Sequence, residues 1–300
     1  MGEEKEFMRE LTRIVAEAYY DYQDIRISMM NRLRSIVRKK IEGLPLFGEN
    51  EKKKDIKTFD KKYSDENLPL LILSVKTELT EKEKEYINKI IELAKTSSDI
   101  EKDYKKVMLM HIKNEPIWTE FLKYIKGISV VLTANLLSAF GYCERYNHIS
   151  SLWKHCGLHV ENGVAPRRKH GKKLDFNLKL RTLSWKIGEC LIRANNPVYK
   201  PIYDKEKERQ LNKVYPKGYL YEKYGKPYTP EDTKLRKLHA HNRAKRKIEK
   251  IFLENYFCAC KEITGEKKIK PYVQEHLGHS DYIYWRDVVE KHVKKKIEEK

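Results

Sequence analysis

Apolar residues in this chain recur at intervals of three and four, and no stretch outside the loop after Gly157 alternates apolar with polar residues in twos. That periodicity predicts an all-α protein. From Glu3 to Gly43, the residues Leu11, Ile14, Val15, Ala18, Ile25, Met29, Leu33 and Ile36 outline one long helix, stopped by Gly43 with Pro45 beyond. Leu44 to Asn67 is polar and rich in Lys and Asp, as an exposed connection would be. A second long helix opens at Thr80, where Glu83 completes a capping box, and runs to about Asn114. Its apolar positions are Ile87, Ile90, Ile91, Ala94, Ile100, Val107, Met108 and Ile112. Two antiparallel helices of this length make an arm over residues 1–115, pairing within the chain or dimerising as a coiled coil.

Pro116 opens the next helix, at a position where its missing N–H costs nothing. From Phe121 to Leu158 the pattern is helix, tight turn, helix. Ile125, Ile128, Val131, Leu132, Leu136, Leu137 and Phe140 lie at helical spacing on either side of Gly127. Such a turn exposes backbone N–H groups at the start of the second helix, where Lys126, Gly127, Ile128 and Ser129 are placed to grip a phosphate. The same spacing also describes a helical hairpin that only builds core. Further helices are predicted from about His148 to Cys156, ended by Gly157; from Asn177 to Asn195; from Pro197; and from Glu231 to Ile263. His159 to Asp175 reads as a loop or small hairpin. Lys213 to Pro230, with two prolines, two glycines and five tyrosines among its interior positions, reads as a loop. Tyr272 onward closes with another helix and a charged tail. The expected domains are therefore 1–115, 116–265 and 266–300.

The net charge is +19, and its distribution is informative. Residues 165–250 carry 25 Lys and Arg against 9 Asp and Glu; the remainder carries 38 against 35. A nearly neutral scaffold bearing one basic segment is the footprint expected for a polyanionic partner. A membrane surface would ask for a continuous apolar face rich in Trp and Phe, which the segment lacks. The loop containing PRRKHGKK has no carboxylate between Glu161 and Asp175. Arg167, Arg168, Lys169, Lys172 and Lys173 are its expected phosphate contacts, extended by Lys179 and Arg181. The second basic element is the helix LRKLHAHNRAKRKIEKIFLENYF, with His239, Arg243, Arg246 and Lys250 at helical spacing and Lys247 on an adjacent face. Only Glu249 opposes eight Lys and Arg between Lys234 and Lys250. A solvated face is the alternative reading of that helix. Tyrosines among these stretches offer rings for base stacking, although such rings more often pack into core.

No secretory signal is visible, and the longest apolar run, Leu68 to Val75, is too short to span a bilayer. Five cysteines without a framework fit a reducing cytoplasm. Abundant Lys and Glu with Gln at only three positions fits a thermophile composition or an A/T-rich genome. No cofactor is expected. Cys258, Cys260, His276 and His279 are weak metal candidates, because thiols two apart on a helix point away from each other.

The blocks KGISVVLTANLLSAFG (126–141), SSLWKHCGL (150–158), RRKHGKK (167–173), LKLRTLSWKIGECLIRANNPVYKPIYDKEKER (178–209) and HAHNRAKRKIEKIFLENYF (239–257) follow one another in fixed order. Together they resemble the C-terminal helix-hairpin-helix domain of the bridge-RNA-guided transposases of the IS-one-ten class. Ser129 departs from that pattern, standing where the hairpin has its second glycine. Members of that class also begin with a RuvC-like domain whose DEDD carboxylates bind metal ions, whereas this chain begins with helices. They carry a nucleophilic serine in the loop after the block matching Trp153 to Leu158. Between Leu158 and Asp175 this chain has no Ser, Thr, Tyr or Cys, so the loop has no group to form a covalent intermediate. The resemblance thus implies a domain of mobile-element origin that grips DNA, or structured RNA, without catalytic residues. Two rivals stand beside it: a recombinase or nuclease subunit whose partner supplies the metal site, and a protein scaffold, homodimeric through the N-terminal helices.

Overall fold

A computed structural model describes residues 2–43, 64, 67–75, 78–168, 170–171, 173–266 and 283–298. Its elements are α1 (Gly2–Glu42), α2 (Leu68–Val75), α3 (Glu81–Ile112), α4 (Pro116–Glu120), a 3-10 turn (Leu122–Tyr124), α5 (Val130–Phe140), α6 (Ile149–His155), α7 (Leu178–Arg193), α8 (Tyr199–Asn212), α9 (Tyr219–Tyr224), α10 (Lys237–Ile263) and α11 (Trp285–Glu298). The only strand-like pairing among the described residues is two isolated bridges, Glu161 with Val164 and Val214 with Lys234. The chain is all-α. It divides into two units, one of Ile14–Met108 and the other of Met1–Arg13 with Leu109–Lys300.

In the first unit α1 and α3 run antiparallel. Tyr22 meets Tyr104 at 5.8 Å between ring centres, Arg26 Nε donates to Glu101 Oε1 at 2.5 Å, and Lys40 Nζ reaches Glu83 at 2.7 Å. The seam of α1 runs through Ala16, Tyr19, Gln23, Arg26, Met30, Leu33 and Val37, and that of α3 through Ile87, Ile90, Ala94, Ser97, Glu101, Tyr104 and Met108. Alternating steps of three and four are heptad spacing, and polar groups at such positions fix register. Expected members Ile14 and Ile25 of α1 are exposed instead, as are Ile91 and Val107 of α3. The capping box at Thr80 is present: Thr80 N donates to Glu83 Oε2 at 2.8 Å and Glu83 N to Thr80 Oγ1 at 3.3 Å. The apolar run from Leu68 forms α2, whose Leu68 and Val75 join Leu33, Val37, Leu79 and Ile87 in a core.

The second unit is built around α10. Every residue from Phe252 to Lys261 is buried, as expected of a helix enclosed on all sides. α4, α6, α7, α8 and α11 pack against it. Phe252 stacks with Phe121 and meets Tyr199 edge-on, and Phe121 meets Trp285. The expected loop from Lys213 to Pro230 contains α9 instead, because Leu220, Tyr215, Tyr228, Leu235 and Ala240 close a small core of their own.

One buried side chain ties three parts of this unit together. Asn196 donates through Nδ2 to the Lys126 carbonyl at 2.7 Å and to His292 Nε2 at 2.9 Å, while its Oδ1 accepts from Val198 N and Tyr199 N. It thereby caps the turn through Pro197 that leads into α8. His292 Nδ1 lies 2.7 Å from the Val288 carbonyl, so Nδ1 carries the proton and Nε2 accepts. Burial holds that imidazole below the ordinary histidine pKa.

Candidate nucleic-acid interface

The turn before α5 is fastened rather than open. Gly127 has φ +100°, and a Cβ there would lie 2.8 Å from the Cys190 carbonyl oxygen on α7. Packing against that helix therefore demands the glycine. Ile128 is buried. Ser129 is the N-cap of α5, its Oγ accepting from Leu132 N at 3.3 Å. Ser129 thus satisfies one of the amides that a bare turn would present. Lys126 and Ser129 are exposed.

The loop beyond α6 begins with a Schellman closure: Leu158 N donates to Trp153 O at 2.8 Å and Gly157 N to Lys154 O at 2.9 Å. Gly157 has φ +63°, and a Cβ there would come within 2.6 Å of the Phe176 ring. Glu161 and Val164 then exchange both backbone hydrogen bonds at 2.9 Å. Asn162 and Gly163 between them both have positive φ, which is a type I′ hairpin. Asn-Gly is a pair that favours this turn, since both positions need φ above zero.

Basic residues of α7 and α10 hold this loop by its backbone. Arg246 donates to the carbonyls of Gly157 at 3.1 Å and His159 at 2.7 Å. Arg181 donates to the Pro166 carbonyl at 2.7 Å and lies over the Phe176 ring. Lys250 lies over the Trp153 ring at 4.8 Å, and that indole donates to the Lys250 carbonyl. Burial pulls the Arg246 guanidinium down to about 10 and lowers Lys250 as well. Arg243 is bonded to Gln210, Tyr215 and Tyr224, and Lys247 to Glu206. His239 bonds Tyr228 OH at 2.8 Å and lies edge-on to Tyr224; burial, with Arg243 and Arg167 nearby, holds it near 4. It is therefore neutral at physiological pH and no cation for a phosphate.

Arg167, Arg168 and Lys173 differ from these. All three are exposed and form no hydrogen bond or ion pair with another described residue. Lys179 is exposed in the first turn of α7. Lys169 and Lys172 lie outside the described residues. The structure separates Arg167, Arg168 and Lys173, which have no partner among the described residues, from the helix cations that clamp.

Among the tyrosines, Tyr199, Tyr203, Tyr215 and Tyr228 are buried, while Tyr219 and Tyr221 are the exposed rings of this region. Cys258 and Cys260 lie within the core of α10, and burial raises the Cys260 thiol well above its ordinary pKa. His276 and His279 lie outside the described residues.

Two features escaped the periodicity. Lys245 is buried, with Nζ 3.3 Å from Glu189 and 4.2 Å above the Trp185 ring. Glu249 beside it is also buried. Gly188 of α7 makes room for both, since a Cβ there would lie 2.9 Å from each Cγ. Burial raises the Glu249 carboxyl to about 7 despite Lys245, Arg246 and Arg181 nearby. An acid raised in the folded state contributes most below its unfolded value, and that contribution is lost as pH rises through 7. Relative to wild type, Glu249→Gln should therefore gain ~2–3 kcal/mol in unfolding free energy between pH 4 and pH 8. Denaturant melts at the two pH values check it, and a constant gap contradicts it.

No protein-family model, curated protein or solved structure matches the chain.

Proposed function

We propose that this chain is a nucleic-acid-binding protein, with DNA its foremost ligand, that grips phosphates through the loop between Gly157 and Phe176. On this reading it works as the transposase C-terminal domain it resembles would, without that family's catalytic parts. The observation that carries the proposal is the contrast within the basic segment. Arg246 and Arg181 are bonded to the loop's own carbonyls, while Arg167, Arg168 and Lys173 are exposed with no hydrogen bond or ion pair to another described residue. Unpaired cations on an anchored loop are placed for phosphate oxygens and carry no base readout.

The division of labour makes a specific forecast. Arg246→Met should weaken binding to a duplex by about tenfold while leaving the salt slope unchanged, because a clamp releases no counterion. Anisotropy titrations at several salt concentrations would reveal it. A slope reduced by about one would instead make Arg246 a phosphate contact. The proposal as a whole is tested by incubating the pure protein with supercoiled plasmid and magnesium or manganese. A mobility shift without nicking is the expected result. Nicking that persists in a loop variant and vanishes with a substitution elsewhere would overturn it in favour of a nuclease.

A further inference from the structure

His159, Glu161 and Asp175 bring three donor atoms within 4.8 Å of one another at the two ends of the basic loop. Both ring nitrogens of His159 are buried without a hydrogen-bond partner. Leaving such atoms unsatisfied is costly, so each asks for an explanation. His159 Nε2 nevertheless lies 3.0 Å from Asp175 Oδ2 and 3.5 Å from Glu161 Oε1. A nitrogen this close to a carboxylate oxygen, with no N–H aligned between them, has the separation of two ligands sharing one ion. With metal–N and metal–O bonds of about 2.0–2.2 Å, neighbouring ligands stand about 3.0–3.5 Å apart.

The surroundings fix these ligands before any ion arrives. The His159 carbonyl is held by Arg246, and its ring meets Phe176 edge-on. Glu161 is pinned by both hydrogen bonds of the Asn-Gly hairpin, and Asn177 N donates to the His155 carbonyl at 2.9 Å, drawing the loop's ends together. We infer that His159, Glu161 and Asp175 bind a divalent transition cation, zinc or manganese, which closes the base of the loop carrying Arg167, Arg168 and Lys173. An imidazole suits zinc and two carboxylates suit either ion, and three protein ligands leave coordination positions open.

The test uses the full chain stripped of metal and titrated with Co²⁺, whose visible d–d absorption reports a nitrogen–oxygen site. Absorption is expected to saturate at one equivalent and to be displaced by Zn²⁺. His159→Gln and Asp175→Asn should each weaken binding by at least about tenfold, with circular dichroism and Tm showing that the variants fold. His148→Gln, an exposed histidine outside the cluster, should leave the affinity unchanged. No absorption and no Zn²⁺-induced rise in Tm for the folded wild type would overturn the inference. So would equal affinity in His159→Gln, Asp175→Asn and wild type. Nucleic acid takes no part in these readouts, so their failure would leave the binding proposal standing, and the reverse.

Discussion

Reversing Arg167, Arg168, Lys172 and Lys173 to Glu is expected to abolish retention of this protein on duplex DNA. Each phosphate neutralised by a Lys or Arg contributes about 0.9 to the slope of log affinity against log salt. If all four side chains meet phosphates, the slope should fall by roughly 3.6, and the repulsion from four new carboxylates would add to the loss. The fold should tolerate the change. Arg167, Arg168 and Lys173 are exposed and bonded to no other described residue, and surface substitutions of that kind usually alter stability by less than about 0.5 kcal/mol each. A variant that melts with the wild type yet no longer binds would place the contact in the loop. Undiminished affinity with an unchanged salt slope would remove the loop from the interface.

The largest effect on stability is expected at Asn196. Its side chain makes four hydrogen bonds in a position with no exposure: two donated, to the Lys126 carbonyl and His292, and two accepted from the amides leading into α8. Asn196→Ala removes all four and leaves buried groups on the turn, on α8 and on α11 without partners. Each buried group so orphaned costs about 1–3 kcal/mol, and water admitted to the new space would recover part of it. The expected loss is about 3–4 kcal/mol in unfolding free energy, read from denaturant melts. A loss below about 0.5 kcal/mol would mean that this network does not hold the turn, α8 and α11 together.

How far the sequence could be read depended on what the chemistry of each residue makes visible. The all-α class, the Thr80 capping box and the glycine stop at Gly157 all follow from local rules, and the structure has each of them. Helix faces were less legible. In α1 the expected Leu33 is buried, but the expected Ile14 and Ile25 are exposed, and Ala16, Tyr19 and Val37 take the other buried places of the seam. Polar seam positions such as Gln23 and Arg26 carry no hydropathy signal, and Arg26 is recognisable only through its partner Glu101, 75 residues away. The turn at Gly127 was read either as a phosphate grip or as a hairpin that only builds core; the packing that requires the glycine comes from Cys190, a neighbour in space and not in sequence.

The basic helix illustrates the same limit. Charge periodicity on α10 does not tell a solvated arginine from one bonded to a distant carbonyl. Arg246 and Arg243 became distinguishable from Arg167 and Arg168 only when their partners were in place. The His159, Glu161 and Asp175 cluster was invisible for a related reason. Its spacing matches no metal motif, because the hairpin and the return through Phe176 bring its members together.

Fluorescence anisotropy of the wild-type protein on a random-sequence duplex, measured over a series of salt concentrations, tests the central claim most directly. The account predicts binding at low salt that weakens steeply, with a slope of about −3 or steeper, and little difference between duplexes of unrelated sequence. Absence of binding at low salt by the folded protein, or binding that salt leaves unchanged, would contradict it.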